Sequence, residues 1–151
     1  MIGPVRRGAG DLLELPVRHR GVVLGRPVDA ILDESLRRVL GLVVVCGDKA
    51  QRFLPLAAAT VTADEIAVDS PLLLLEEREL AYYTLRGSRL GSLVGTMVVR
   101  RGAALGVLDD LVIADDGVIE EVRVSTSAGM RCVPYDAKVG FSAVRRASAA
   151  R

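Results

Sequence analysis

The stretch Gly21-Val-Val-Leu-Gly25 returns 81 positions later as Gly102-Ala-Ala-Leu-Gly106, and this return decides the fold. The agreement spreads outward at the same offset. Val17, Arg20 and Asp29 fall on Val98, Arg101 and Asp110, and Ile31 and Leu32 fall on Val112 and Ile113. Further on, Val39, Val43, Val45 and Pro55 match Val118, Val122, Val124 and Pro134 at an offset of 79. That drop places two extra residues of the first copy near Asp33-Glu-Ser-Leu-Arg37, opposite Asp115-Asp116-Gly117, in a turn where length changes are tolerated. Glycines, a proline and apolar positions recurring in one order define an internal duplication. The copies run over residues 8 to 75 and 88 to 145, with a linker at 76 to 87 and a flexible basic tail at 146 to 151.

Each copy reads as strands. Leu40-Gly-Leu-Val-Val-Val-Cys46 is a near-continuous apolar run, and Ile119-Glu-Glu-Val-Arg-Val124 alternates. Asp116-Gly117, flanked by Val112-Ile113 and Val118-Ile119, predicts a hairpin, because the turn needs a positive φ that glycine adopts without steric cost. Gly21 and Gly25, with Gly102 and Gly106, bracket a tight turn and a bend, and Pro55 and Pro134 end matching strands. Short strands joined by such turns predict an all-β chain of two tandem small barrels, strongly bent antiparallel sheets with short helical turns between them. The linker carries the helical composition, Glu76 to Arg86, with Leu80, Tyr83 and Arg86 on one side. Helical turns are expected after Pro55, over Leu56-Ala-Ala-Ala59, and after Pro134.

Composition bounds the function. Half of the 151 residues are hydrophobic, which indicates a folded chain. Aromatics make up 3% and Trp is absent, so Val, Leu, Ile and Ala fill the core and leave little stacking surface for single-stranded nucleic acid. A net charge of +1 supplies no global field for a polyanion or an anionic membrane. Cys46 and Cys132 stand in no metal-ligand spacing and read as buried, reduced thiols. Pro71-Leu-Leu-Leu-Leu75 is too short to span a bilayer, and Met1 to Asp11 has no apolar stretch of signal-peptide length. The expectation is a cytoplasmic protein without membrane insertion.

These residues resemble the PRC-barrel family, named for the photosynthetic reaction-centre H subunit and found also at the C-terminus of RimM ribosome-maturation factors. The second copy carries the likeness in Gly87-Ser-Arg-Leu-Gly-Ser-Leu-Val-Gly-Thr-Met-Val98, Gly102 to Gly106, Asp110-Leu-Val-Ile113, Val122-Arg-Val124 and Val133-Pro134. The first keeps Asp11-Leu-Leu-Glu-Leu-Pro-Val17, Gly21 to Gly25, Asp29 and Leu54-Pro55. The resemblance implies two bent antiparallel barrels acting as interaction modules, with no shared catalytic residue. The reaction-centre subunit's transmembrane helix and RimM's N-terminal domain have no counterpart in these residues.

Chemistry-bearing residues are few. His19, the single histidine, rules out a two-histidine metal site, and its counterpart Arg100 makes it a surface strand end. Asp115 and Asp116 fit turn chemistry. The pairs Asp109-Asp110 and Glu120-Glu121 belong to strands, where neighbours point to opposite faces. The glycines match no phosphate-loop spacing. The doublets Arg6-Arg7, Arg37-Arg38, Arg100-Arg101 and Arg145-Arg146 read as dispersed solvated charge. No catalytic residue, cofactor or metal site is predicted, and Asp29, Asp110, Arg100 and Arg101 are the interaction candidates. The leading expectation is a non-enzymatic scaffold or protein-interaction module, its partner another protein or a second copy of itself. An RNA- or ribosome-associated factor is the alternative. A small-ligand binder with a polar pocket between the barrels is a third.

Overall fold

The computed structural model describes residues 6 to 142, so the basic tail and the Arg145-Arg146 doublet lie outside the described residues. The first half contains β1 (Arg7–Gly8), α1 (Ala9–Leu12), β2 (Val17–His19), β3 (Val22–Leu32), β4 (Val39–Cys46), β5 (Gln51–Pro55), β6 (Ala59–Val61) and β7 (Ile66–Val68). A helix, α2 (Glu77–Arg86), leads into the second half. There follow β8 (Ser88–Arg89), α3 (Leu90–Leu93), β9 (Met97–Arg100), β10 (Ala103–Ile113), β11 (Ile119–Thr126), β12 (Gly129–Pro134) and β13 (Val139–Phe141). The chain is mostly β, in two curled sheets with few short helices. One sheet has the order β5-β4-β3-β2-β7-β6, the other β12-β11-β10-β9-β13. No helix among the described residues is long and apolar enough to cross a membrane.

The duplicated glycines occupy duplicated geometry. Arg20 and Gly21 (φ 49° and 81°) close the β2–β3 hairpin, and Arg101 and Gly102 (φ 50° and 84°) close the β9–β10 hairpin. Two central residues at positive φ make the primed turn that suits strand twist. Gly25 and Gly106 each follow a bulge, at Leu24 and Leu105, where the register shifts. A side chain at Gly25 would run into the Val45 carbonyl. Further bulges recur at Val28 and Asp109, and these bend the long strands β3 and β10.

The length difference between the copies is distributed otherwise than sequence matching suggests. Leu32 pairs with Val39 and Ile113 with Ile119, so β4 and β11 correspond at an offset of 80. The first hairpin loop is therefore longer by one residue. The second extra residue lies in the next turn, Gly47-Asp48-Lys49 against Ser127-Ala128. Offset 79 holds from Gln51, matched to Met130, onward. A slip of one residue turns a strand inside out. At offset 80 the core residues Val39, Leu42 and Val44 match Ile119, Val122 and Val124, which are also in the core.

The two copies also close differently. In the second, β13 pairs directly and antiparallel with β9. In the first, β7 inserts between β2 and β6, parallel to one and antiparallel to the other. The 3-10 turn expected after Pro55 is present over Leu56–Ala58. Between Pro134 and β13, over residues 135 to 138, there is no helix. The Asp136 carboxylate accepts the Lys138 amide at 2.9 Å and its carbonyl the Val139 amide at 3.1 Å, which makes a tight turn into β13.

Helix α2 packs on the outer face of the first sheet. Tyr83 stacks on Phe53 with ring centroids 4.4 Å apart, and Leu80 joins Ile31, Val43 and Phe53 in a small separate cluster. Arg86 stays exposed, over the Tyr82 ring. The main core is continuous across both sheets, from Leu12, Leu42 and Val44 to Leu93, Leu108 and Val122.

The continuity has a topological cause. β1 and α1 stand at the start of the first copy but pair with the second: Arg7 lies opposite Ile113 and Gly8 opposite Val112 on β10. Their counterparts, β8 and α3, pair with the first sheet, Arg89 opposite Ile31 and Ser88 opposite Leu32 on β3. Each copy thus completes the other's sheet by reciprocal exchange of a strand and a helical turn about a pseudo-twofold axis.

Candidate functional site

The exchange brings Asp29 and Asp110 to one place. Asp110 Oδ1 accepts the Gly10 amide at 2.9 Å and the Leu111 amide at 2.8 Å. Asp29 Oδ1 accepts the Gly91 amide at 2.9 Å and the Ala30 amide at 2.8 Å. Gly10 and Gly91 are the second residues of α1 and α3, whose own N-cap residues, Gly8 and Arg89, make no side-chain cap. A free amide at that position normally receives a side chain from just before the helix. Here the capping carboxylate comes from the other repeat. The bulges at Val28 and Asp109 turn the following aspartates toward these helices.

Each second carboxylate oxygen has one arginine, from a different place in each copy. Arg89, on β8, stands 3.8 Å from Asp29 Oδ2, whereas Arg123, on β11, stands 3.8 Å from Asp110 Oδ2. The counterpart of Arg89 is Gly8, where an added Cβ would meet Asp110 Oδ2, and the counterpart of Arg123 is Val43. Both carboxylates are thereby committed to the fold.

Between α1 and α3 lies a shallow groove of about 350 Å³, with Leu13 and Val94 as matching walls and Val28 opposite Asp109. Val28 and Val94 are 51% and 43% exposed. Asp29, Asp109 and Asp110 also line the groove, but Asp29 and Asp110 each turn Oδ1 to a helix amide, so its walls are mostly apolar. Sequence reading singled out Asp29 and Asp110 but not the glycines they bind or the valines beside them. Gly10 and Gly91 share the offset of 81 with everything else around them, and that was the available signal.

Other contacts lock the turns of the two copies together. The Val39 amide donates to the Gly117 carbonyl at 2.8 Å, and the Ile119 amide to the Arg37 carbonyl at 3.0 Å. Tyr135 donates its hydroxyl to the Leu36 carbonyl at 2.6 Å, with Arg37 over its ring. Asp116 plays the predicted turn role, accepting the Val118 amide at 3.0 Å.

The remaining candidates are scattered. Arg100 pairs with Asp136 at 3.0 Å, and Arg101 is an exposed turn residue, so neither joins the groove. His19 donates through Nδ1 to the Val68 carbonyl at 3.0 Å. Arg6 pairs with Glu120 and Glu121, and Arg7 reaches the Val61 carbonyl. Cys46 is half-buried, and Cys132, expected inside, is exposed on β12. A separate open depression of about 490 Å³ lies between the β4–β5 turn and α2, lined in part by Leu24, Arg52, Leu74 and Glu79. Among the described residues no group of three or more His, Cys, Asp or Glu stands close enough to hold a metal ion.

No family model matches the chain, and no curated protein matches it.

Proposed function

We propose that the chain is a non-enzymatic interaction module of the PRC-barrel type, which binds a protein partner through the apolar groove at the pseudo-twofold axis. The observation that carries this reading is the groove's chemistry. Val28 and Val94 are large, exposed and apolar, on a frame held rigid by the two aspartate clasps. Apolar side chains grouped beside a polar rim are what an interface core uses. The carboxylates that would do acid-base work are already spent on helix amides. Of the arginine doublets that suggest the ribosomal alternative, Arg6, Arg7 and Arg100 have acidic neighbours, which counts against it.

The test is affinity capture from lysate with the wild-type chain and the Val28→Asp/Val94→Asp variant, each with and without ribonuclease. Defined proteins that survive ribonuclease and disappear with the variant support the reading. Proteins retained equally by the variant remove the groove from it, and ribosomal proteins lost with ribonuclease replace it by the RNA-associated alternative.

A further inference from the structure

The two sheets have corresponding edge strands, β5 and β12, and among the described residues only β5 is covered. On β5 the Phe53 amide donates to the Leu75 carbonyl at 2.9 Å and the Leu75 amide returns the bond at 2.8 Å. Helix α2 then lies over the adjoining face. The residue that corresponds to Phe53 is Cys132, opposite Arg123 as Phe53 is opposite Val43. No backbone partner reaches the outer side of Cys132 among the described residues. An edge of this kind is a template for another strand.

We propose that β12 pairs with β12 of a second copy of this chain, antiparallel and centred on Cys132 opposite its symmetry mate. Three features of the strand select that occupant and that register. First, the hairpin Thr126 to Gly129 sets the alternation, so the backbone groups of Met130, Cys132 and Pro134 point outward. Centring on Cys132 gives two bonds between the central residues and one from each Met130 amide to the opposing Pro134 carbonyl. The missing amide of Pro134 falls where the strand ends.

Second, the only charge on the strand is Arg131. Centring the pair on Arg131 would oppose two guanidinium groups, which destabilises a cross-strand pair. Centring on Cys132 instead sets Arg131 against Val133 of the second copy. Third, Met97, Val107, Ser125 and Met130 stand in one row across β9, β10, β11 and β12. Met130 is 55% exposed at the end of that row. The opposing Pro134 continues the row and covers it. The outer side chains of β12 are thus uncharged and self-complementary. Pairing of five residues a side, Met130 to Pro134, is a small contact, so the dimer is weak and concentration-dependent.

This inference is independent of the groove, which lies at the repeat boundary. The experiment is sedimentation velocity on the whole chain under reducing conditions over a wide concentration range, with Cys132→Pro and Met130→Lys beside the wild type. Cys132→Pro removes an amide that points away from β11 and so spares the inner ladder. Met130→Lys keeps the backbone and puts charge into the row. The expected result is a reversible dimer whose dissociation constant rises about tenfold or more in each variant. Cα atoms of a hydrogen-bonded antiparallel pair lie about 5.5 Å apart, within disulfide reach. Copper-phenanthroline should therefore link two chains through Cys132 and not through Cys46. A chain that stays monomeric at every concentration overturns the proposal, as does a dimer that both variants form as well as the wild type.

Discussion

Asp110 accepts the amide hydrogen of Gly10 at 2.9 Å across a separation of 100 residues, and in doing so caps a helix that belongs to the other repeat. The bond is part-buried, with Asp110 itself only 8% exposed. Asp110→Ala strands two backbone amides at once, those of Gly10 and Leu111, and is expected to cost about 3 kcal/mol. Asp29→Ala does the same at a more exposed clasp and is expected to cost about 1–2 kcal/mol. Urea denaturation checks both values. Losses below about half a kcal/mol would mean that the carboxylates are dispensable to the exchange.

Gly117 holds the β10–β11 turn at a φ of 89°, and an added Cβ would strike the Val39 carbonyl of the other copy. Gly117→Ala combines left-handed strain with a contact against backbone that cannot move cheaply. It is expected to destabilise the chain by about 2–4 kcal/mol. The corresponding substitution at Gly21, also at positive φ but with open space around it, isolates the strain component at about 1 kcal/mol. Thermal melting of the two variants side by side measures the difference.

Helix α2 is held on the sheet by Leu80 and by the stack of Tyr83 on Phe53. Tyr83→Ala removes the stack on Phe53 and is expected to cost about 2–3 kcal/mol. Amide hydrogen exchange should then accelerate over Glu77–Arg86 while the strands β9 to β12 keep their protection. Uniform acceleration across both sheets would instead place α2 in the common folding unit.

The Asp48 carboxyl is lowered to about 2, first by the Arg52 side chain and then by the Ala50 amide. Its contribution to stability is complete above the ordinary value of 3.8 and disappears as the pH falls through about 2. Carbon-detected NMR titration should place the Asp48 midpoint near 2 and move it upward in Arg52→Ala. An unmoved midpoint would assign the shift to the backbone alone.

At the alkaline end, burial raises the Tyr135 phenol above its ordinary value of 10.0, against the pull of Arg37. The neutral form is the one that donates to Leu36, so the stabilisation is present below 10 and is lost as the pH rises through the raised value. Tyr135→Phe is expected to cost about 1 kcal/mol at neutral pH and to flatten this alkaline slope. Denaturation series at several pH values measure both.

The duplication was legible because turn chemistry is local. Arg20-Gly21 and Arg101-Gly102 carry their positive φ wherever the strands go, and Asp116-Gly117 marks its hairpin without help from tertiary structure. The exchange was not legible, because nothing in Arg7 to Leu12 specifies which copy of a repeated long strand it joins. Both β3 and β10 offer the same edge. The register of β4 against β11 was misplaced by one residue because valines are so frequent there that Val43 matches Val122 as well as Leu42 does. Only burial separates the two. Asp29 and Asp110 were singled out for recurring, yet their role as caps depends on helices supplied from far along the chain.

The exchanged segments impose an order of events on synthesis. Arg7 to Leu12 leave the ribosome well before the strand they pair with, β10. The first sheet, in turn, lacks β8 until Leu93 has followed it. A chain that folds domain by domain from its beginning has no stopping point here. The nascent first half must stay open to correction until the second arrives, and a truncated product keeps a bare strand edge on β3.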